Sequence, residues 1–309
     1  MRNVSNFLFH RVNTKRDLLW DPMDVKLFDH CIKYISKNFH VVLLEDMVLN
    51  KHEFNGSKKY ATIVFDDGYK DNFEYALPIL EKYKVKASFY IVTECIDKNI
   101  PTWTHIVDHA FQYTNHDKID ISFHFLPEEL RVSSLNDKTI RINYVRKLKP
   151  ALKKISHSER MLVIDRILTS FNDIEFPSLM MNWGDVKQLS KAGHYIGSHT
   201  DTHCMLGTMN NIEMINNELT HSGNKIKQNL GYFPLTISYP VGSYNATTIE
   251  QSKLAGYKIG LAVNQKVYNP QQDNKFEVPR IELYNESWLK TRLRIENVIG
   301  RVAKVLKGI

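Results

Sequence analysis

The chain has 309 residues, 43% hydrophobic and 24% charged, with 13 Gly and 10 Pro, a composition that excludes disordered and collagen-like classes and suits a sizeable buried core. No apolar run is long enough for a secretory signal or a membrane span, which predicts a soluble, cytoplasmic protein. The three cysteines are widely spaced and form no ligand or redox motif, as expected in a reducing compartment.

Strand-like and helix-like runs alternate along the chain. The predicted strands are Phe7–His10, Val41–Leu44, Ala61–Phe65, Ala87–Val92, Tyr195–Ser198, Leu235–Tyr239, Lys258–Val263 and, later, Phe276–Val278. The predicted helices are Val25–Asn38, Asn72–Tyr83, Trp183–Lys191, Ile212–Leu230 and Thr247–Ala255. This spacing indicates a mostly parallel sheet, either a barrel or doubly wound, with its chemistry at the carboxyl ends of the strands.

The rhythm is interrupted between residues 101 and 178, where long polar and basic helices are predicted at Lys138–Ile155 and Ser158–Phe171. We interpret this stretch as an insertion within a single domain, 1–309. The formal net charge is +7, and many of the basic residues lie between residues 131 and 160. Such a surface favours anionic partners in general, although a solvated helical face is the simpler explanation.

Two adjacent carboxylates end one predicted strand, in "ATIVFDDGYKDN". Successive strand residues point to opposite faces, so Asp66 and Asp67 can share a site only if the backbone turns there, as Gly68 permits. An ordinary Asp-Asp-Gly turn is the simpler alternative. The spacing differs from the Asp-x-Asp pair of haloacid-type phosphatases.

A pair of histidines follows the strand Tyr195–Ser198, in "GSHTDTH". His199 and His203 are four residues apart and can face one cation. Two imidazoles and one carboxylate leave open positions on a metal, as catalytic zinc or iron sites require. Together with the acids after another strand, the sequence predicts a divalent metal site.

These motifs resemble those of the polysaccharide deacetylases with the NodB homology domain, also called carbohydrate esterase family 4. The resemblance rests on "FDDG" (65–68), "HTDTH" (199–203), the approach "WGDVKQLSKAGHYIGSHT" and "SYPVGSYN" (238–245), and covers nearly the whole chain apart from the insertion. It implies a distorted (β/α) barrel that removes acetyl groups from N-acetylated sugars of a cell-surface polysaccharide or its precursor.

The resemblance also implies roles for individual residues. Asp66 is the expected general base, and Asp67, His199 and His203 are the expected metal ligands, with Zn²⁺ the usual metal. A metal so held polarises the acetamide carbonyl and lowers the pKa of bound water toward about 7. The backbone amide of Val241 is the expected donor to the oxyanion.

Two family features are missing from their usual places. The third motif has Ser238 where the family has the arginine that orients the base, and we expect Arg280 or Arg11 to substitute, with Arg280 favoured. The family's late Leu-x-His, which supplies the general acid, is absent, because no histidine follows His221.

A Leu-x-His instead occurs at Leu8–His10, so we predict His10 as the general acid, on a strand moved to the start of the chain. Failing that, His105, His109 and His124 come next. This order resembles the exopolysaccharide deacetylases of the biofilm glucosamine-polymer type. Trp20 and Trp183 are candidates for sugar stacking, with packing the simpler explanation.

The tail from Trp288 to residue 309 has the pattern of a basic amphipathic helix, with apolar Leu289, Leu293, Ile295, Val298, Ile299, Val302 and Val305. It predicts either packing on the barrel or peripheral contact with the inner face of an anionic membrane, which would suit a lipid-linked glycan. No nucleic-acid partner is expected. The alternatives to a deacetylase are a metal-dependent amidohydrolase acting on a small cyclic amide and a non-catalytic glycan-binding protein.

Overall fold

The computed structural model describes residues 3–48 and 59–298. The strands in these residues are β1 (Val4–Phe9), β2 (Phe39–Val41), β3 (Lys59–Phe65), β4 (Ser88–Ile91), β5 (Lys118–Asp120), β6 (Val132–Ser134), β7 (Tyr195–Ser198), β8 (Thr236–Ser238), β9 (Ile259–Leu261) and β10 (Ile281–Glu282). The α-helices are α1 (Val25–Asn38), α2 (Leu44–Val48), α3 (Leu77–Lys82), α4 (Thr93–Lys98), α5 (Trp103–Tyr113), α6 (Lys138–Leu152), α7 (His157–Ser170), α8 (Trp183–Lys191), α9 (Ile212–Leu230), α10 (Ala246–Leu254) and α11 (Trp288–Ile295).

The main sheet is parallel and has the order β10-β1-β3-β4-β7-β8-β9, with β2 beside the first half of β3. The segment 275–283 runs from β9 to β1. The Ala262 amide donates to the Val278 carbonyl, and the Leu283 amide donates to the Leu8 carbonyl. The sheet therefore curls into a half-barrel whose two sides are joined by this segment, which confirms the predicted distorted (β/α) barrel.

Alternate strand residues divide between two hydrophobic clusters. Leu8, Val64 and Leu261 belong to one cluster, which draws on strands from both sides of the sheet and therefore fills the inside of the curl. Phe7 and Ile63 belong to another, which packs against helices including α1 and α8. Both faces of β3 are thus covered, which explains its nearly continuous apolar sequence.

The stretch 101–178 has a hydrophobic cluster of its own. It contains α5, α6, α7 and the antiparallel pair β5–β6, and its buried residues include Phe111, Val145, Leu148 and Val163. The Arg160 guanidinium is buried and donates to Thr208 Oγ1 at 3.0 Å, which ties this stretch to the loop after β7. Its description as an insertion in one domain stays a prediction.

Three predicted elements differ in the structure. The predicted strand Val41–Leu44 was wrong: β2 ends at Val41, and Leu44 begins α2, whose first turn carries acidic residues that suit a helix amino terminus. The predicted strand Phe276–Val278 was also wrong, since it forms only one bridge, at Val278. The predicted helix Asn72–Tyr83 divides into a π-helical turn, Asn72–Ala76, and α3, because Pro78 lacks the amide that a continuous α-helix needs.

The described part of the tail lies on α1. The Trp288 ring is 5.6 Å from that of Tyr34, and Ile295 is buried, whereas Leu289 is exposed. The predicted helical positions Ile299, Val302 and Val305 lie outside the described residues. Among the helices that the structure describes, none is long and apolar enough to cross a membrane.

Candidate metal and catalytic site

The turn after β3 brings two carboxylates to one cavity. The Asp66 amide donates to the Phe9 carbonyl at 3.1 Å, which extends the pairing of β1 with β3 by one residue. The chain then turns at Asp67, with φ 75°, and at Gly68, with φ 90°. A side chain other than glycine in this left-handed region costs about 1–3 kcal/mol, so the surrounding structure must hold Asp67 there. The turn that the sequence predicted at Gly68 begins one residue earlier.

Asp67, His199 and His203 form a buried group whose ligand atoms lie within 4.8 Å of one another. The Asp67 Oδ1 atom is 3.3 Å from His199 Nε2 and 3.2 Å from His203 Nε2. His199 Nδ1 is 2.8 Å from the Ser238 carbonyl oxygen, which orients that ring and leaves Nε2 toward Asp67. Two imidazole nitrogens and one carboxylate are a donor set that suits Zn²⁺ with open positions.

The protonation of this group also suits a metal. Burial alone would raise the pKa of Asp67, but hydrogen bonds from His199 and His203 outweigh burial and hold it well below its ordinary value. Burial lowers the pKa of His203. These shifts favour an ionised Asp67 and a neutral His203, which are the forms that ligate metals. His199 differs when no metal is bound: burial lowers its pKa, but the carboxylates of Asp66 and Asp67 outweigh burial and raise it.

Asp66 is paired with Arg280. The Arg280 Nη1 atom donates to both Asp66 oxygens, at 2.9 and 2.8 Å, and both side chains are buried. Ser238 Oγ donates to Asp66 Oδ2 at 3.1 Å. The other candidate, Arg11, instead pairs with Asp71 at 2.9 Å. The serine in place of the motif arginine thus contacts the same carboxylate, a contact that the sequence reasoning missed.

His10 follows β1 and lines the cavity next to Trp20. Its Nδ1 atom is 3.5 Å from Glu282 Oε1, at the end of β10. The Asn72 side-chain amide donates to the His10 carbonyl at 2.7 Å and fixes its backbone. Glu282 was not predicted, and only the pairing of the first and last strands reveals it.

The alternative histidines are less suited to donate a proton. Burial lowers the pKa of His105 to about 3, so its ring is neutral near pH 7. Burial also lowers the pKa of His109. None of His105, His109 and His124 is among the described residues that line the cavity.

The cavity has a volume of about 260 Å³. Its lining residues are His10, Trp20, Asp66, Asp67, Thr104, Lys149, Lys153, His199, His203, Val241, Val263 and Glu282. Val241 has φ 58°, a conformation that is strained for a β-branched residue and is typical of functional sites. Six of the seven predicted site residues lie in this lining, and the seventh, Arg280, pairs with Asp66 behind it.

The two tryptophans considered for sugar stacking, Trp20 and Trp183, lie in different places. Trp20 lines the cavity, whereas Trp183 donates from Nε1 to Asp97 at 2.7 Å and does not reach it. Trp103, which the sequence reasoning did not single out, donates from Nε1 to the His203 carbonyl at 3.2 Å. His203 has φ 61°, so this hydrogen bond holds a metal-ligand candidate in a strained conformation.

Comparisons with known proteins agree with this geometry. The solved structures that resemble the chain include the deacetylase PplD of Streptococcus pyogenes in complex with acetate, with TM-score 0.62 and 15% identity, covering 94% of this chain and 97% of that one. They also include IcaB from Ammonifex degensii, with TM-score 0.60 and 15% identity, covering 94% and 95% of the two chains. At these identities the likeness shows the fold.

Sequence comparisons are more specific to the family. YxkH of Bacillus subtilis, which is named as a polysaccharide deacetylase, is 29% identical to this chain over 91 residues. These residues make up 29% of this chain and 32% of that protein. The family model described as polysaccharide deacetylase matches residues 54–260, more than half of the chain. The chain therefore belongs to the polysaccharide deacetylase family.

Proposed function

We propose that this chain is a metal-dependent carbohydrate N-deacetylase that removes acetyl groups from the N-acetylated sugars of a cell-surface polysaccharide or its precursor. One observation carries the proposal: the buried carboxylate Asp66, paired with Arg280, opens on the same cavity as the metal-ligand group Asp67, His199 and His203. A base beside a metal site is an arrangement that can activate water for hydrolysis of an amide.

The protein side chains divide the work of hydrolysis. Asp67, His199 and His203 would hold a divalent metal, most suitably Zn²⁺, which supplies Lewis-acid polarisation of the acetamide carbonyl. Asp66 takes a proton from the attacking water. Arg280 and Ser238 hold the carboxylate in one orientation, with its negative charge compensated before the reaction begins.

The remaining steps need a donor to the oxyanion and an acid for the leaving amine. Val241 lies in the cavity lining with a strained backbone, and its amide would donate to the developing oxyanion. His10 would protonate the departing amine, and Glu282 beside it would stabilise the imidazolium. These roles fit the order in which charge develops during amide hydrolysis.

The type of glycan is a finer part of the proposal. The delivery of the acid by β1 rather than by a late strand, and the structural likeness to IcaB, support a place among the exopolysaccharide deacetylases. A binding protein without catalysis would have no need for a buried Asp66–Arg280 pair beside the metal group.

Acetate release tests this function. Purified protein loaded with Zn²⁺ should release acetate from at least one member of a panel of free and lipid-linked N-acetylated glycans. Asp66→Asn should keep the metal and lose turnover, whereas Asp67→Ala and His199→Ala should lose both. Equal loss of metal in all three variants would contradict the division of roles.

Location is a separate proposal: a cytoplasmic protein that touches the inner face of the membrane through its tail. The exposed side chains of Leu289 and Leu293 on α11 support it. Flotation with anionic vesicles should retain the protein, and Leu289→Glu with Leu293→Glu should weaken retention. Unchanged retention of this double variant, or no retention of the parent protein, would remove α11 as a membrane contact.

A further inference from the structure

Lys149, in the last turn of α6, and Lys153, the residue that caps this helix, line the same cavity as the catalytic candidates. Lys149 and Lys153 are four residues apart, so they lie on one face of the helix, and both border the space that holds Asp66 and the metal-ligand group. The helix belongs to the stretch 101–178, outside the motifs that define the family resemblance. A positive wall therefore faces the candidate catalytic centre.

The two lysines differ in their partners. Lys149 Nζ donates to Asp108, whose side chain is 3% exposed, so a buried carboxylate fixes the position of Lys149. Lys153 forms no ion pair with any carboxylate in the described residues. Desolvation, followed by repulsion from Lys149, lowers the pKa of Lys153. Attraction by Asp108 and Glu282 offsets these two effects only in part, so the Lys153 charge lies at the cavity wall with incomplete compensation.

The opposite wall supplies only part of the missing compensation, through the charge of Glu282. Glu282 is an acidic residue of the lining, but it already contacts His10 at 3.5 Å and accepts a hydrogen bond from the Tyr284 hydroxyl at 2.7 Å. Asp66 is paired with Arg280, and Asp67 lies between two histidines. Lys153 has no direct ion pair in the described residues, so an anionic group that enters the cavity with the substrate would be its first contact partner of opposite charge.

We propose that Lys153, with Lys149 beside it, forms an anion subsite that binds a phosphate or carboxylate carried next to the N-acetylated sugar. This inference rests on the proposed deacetylase function and narrows its substrate class. It favours a sugar phosphate or a glycan that contains a uronic acid. A polymer that already carries free amino groups would be repelled from this wall.

Kinetics with three substrates test the subsite. The substrates are N-acetylglucosamine 1-phosphate, a disaccharide of N-acetylglucosamine and glucuronic acid, and the neutral trimer of N-acetylglucosamine. The Zn²⁺-loaded enzyme should prefer one or both anionic substrates, and the preferred one identifies the anion. Lys153→Met should raise KM for that substrate about tenfold, with kcat and the neutral trimer unaffected.

Two further variants separate charge from structure. Lys153→Arg should restore most of the affinity, because the positive charge is kept. Lys154→Met removes the neighbouring exposed lysine, which does not line the cavity, and should change nothing. No preference for an anionic substrate, or an equal effect of Lys153→Met on the neutral trimer, would overturn the subsite.

A binding measurement distinguishes failure of the subsite from failure of the deacetylase proposal. Calorimetry on metal-free protein with N-acetylglucosamine 1-phosphate and with the uronic-acid disaccharide excludes ligation of the anion by metal. If no substrate releases acetate, the deacetylase proposal fails, while binding that Lys153→Met weakens tenfold still supports the subsite. Binding that is absent or independent of Lys153 overturns it.

Discussion

Arg280→Met removes the counter-charge of the proposed general base. In the folded protein Arg280 is fully buried and the Asp66 side chain is 3% exposed, with the closest contact at 2.8 Å. Arg280 Nε also donates to the Ala262 carbonyl at 2.9 Å. The substitution therefore leaves a buried carboxylate without a cation and a backbone carbonyl without this donor.

The expected size of the effect follows from that burial. Unit charges about 4 Å apart attract by about 4 kcal/mol at an effective dielectric constant near 20. Removing one partner of a buried pair costs about 3–5 kcal/mol, because the other charge is stranded. Arg280→Met should therefore lower the free energy of unfolding by about 3–5 kcal/mol and reduce kcat strongly, since Asp66 loses the contact that orients it.

The assay is urea unfolding of metal-free protein combined with acetate release by the Zn²⁺ form. Asp66→Asn combined with Arg280→Met should cost less than the sum of the single substitutions, with a coupling of at least about 1 kcal/mol. Arg11→Met is the matched control, because it also breaks a buried ion pair, with Asp71, but should leave kcat within a few-fold. Near-normal turnover in Arg280→Met, together with loss of turnover in Arg11→Met, would refute the assignment.

Three further predictions concern the neighbouring residues. His10→Ala should reduce kcat by about 10²–10⁴ with unchanged Zn²⁺ affinity, and near-normal activity would exclude it as the acid. Trp103→Phe removes the hydrogen bond to the His203 carbonyl and should weaken Zn²⁺ binding about two- to tenfold, as measured by chelator competition. The control Trp183→Phe loses a similar hydrogen bond away from the cavity and should leave Zn²⁺ binding unchanged, so equal effects of the two variants would contradict the prediction. The pKa of His105 is lowered to about 3, so between about pH 6.5 and 3 this residue is protonated in the unfolded chain but not in the folded one. The free energy of unfolding should therefore fall as the pH falls through this window, and His105→Gln should remove up to about 4 kcal/mol of that fall. An identical pH profile of the variant would contradict the lowered pKa of His105.

The sequence predicted those parts of the fold in which local pattern and tertiary packing agree. The helices Val25–Asn38, Trp183–Lys191 and Ile212–Leu230 and the strand Tyr195–Ser198 have the predicted bounds. The short strand β10 could not be foreseen, because two residues carry no periodicity and their pairing with β1 depends on contacts across the whole chain.

The residues of the candidate site also divide into those that the sequence predicted and those that it missed. Asp66, Asp67, His199 and His203 were predicted because each motif follows a strand and parallel strands end at one edge. Ser238 and Trp103 were missed as contacts, since a serine or a tryptophan in isolation carries no signal for the residue it will reach. Their roles depend on backbone positions that only the folded chain defines.

The separation of Asp66 from Arg280 by 214 residues has a consequence for synthesis. At about 5–20 residues per second, Arg280 leaves the ribosome about 10–40 seconds after Asp66. The proposed metal ligands Asp67, His199 and His203 are all made before it. A nascent chain can therefore assemble its proposed metal-ligand group while Asp66 still lacks Arg280. The ability to bind a metal would then precede the ability to catalyse. Translation products that end before Arg280 should bind metal at most, and should show no turnover.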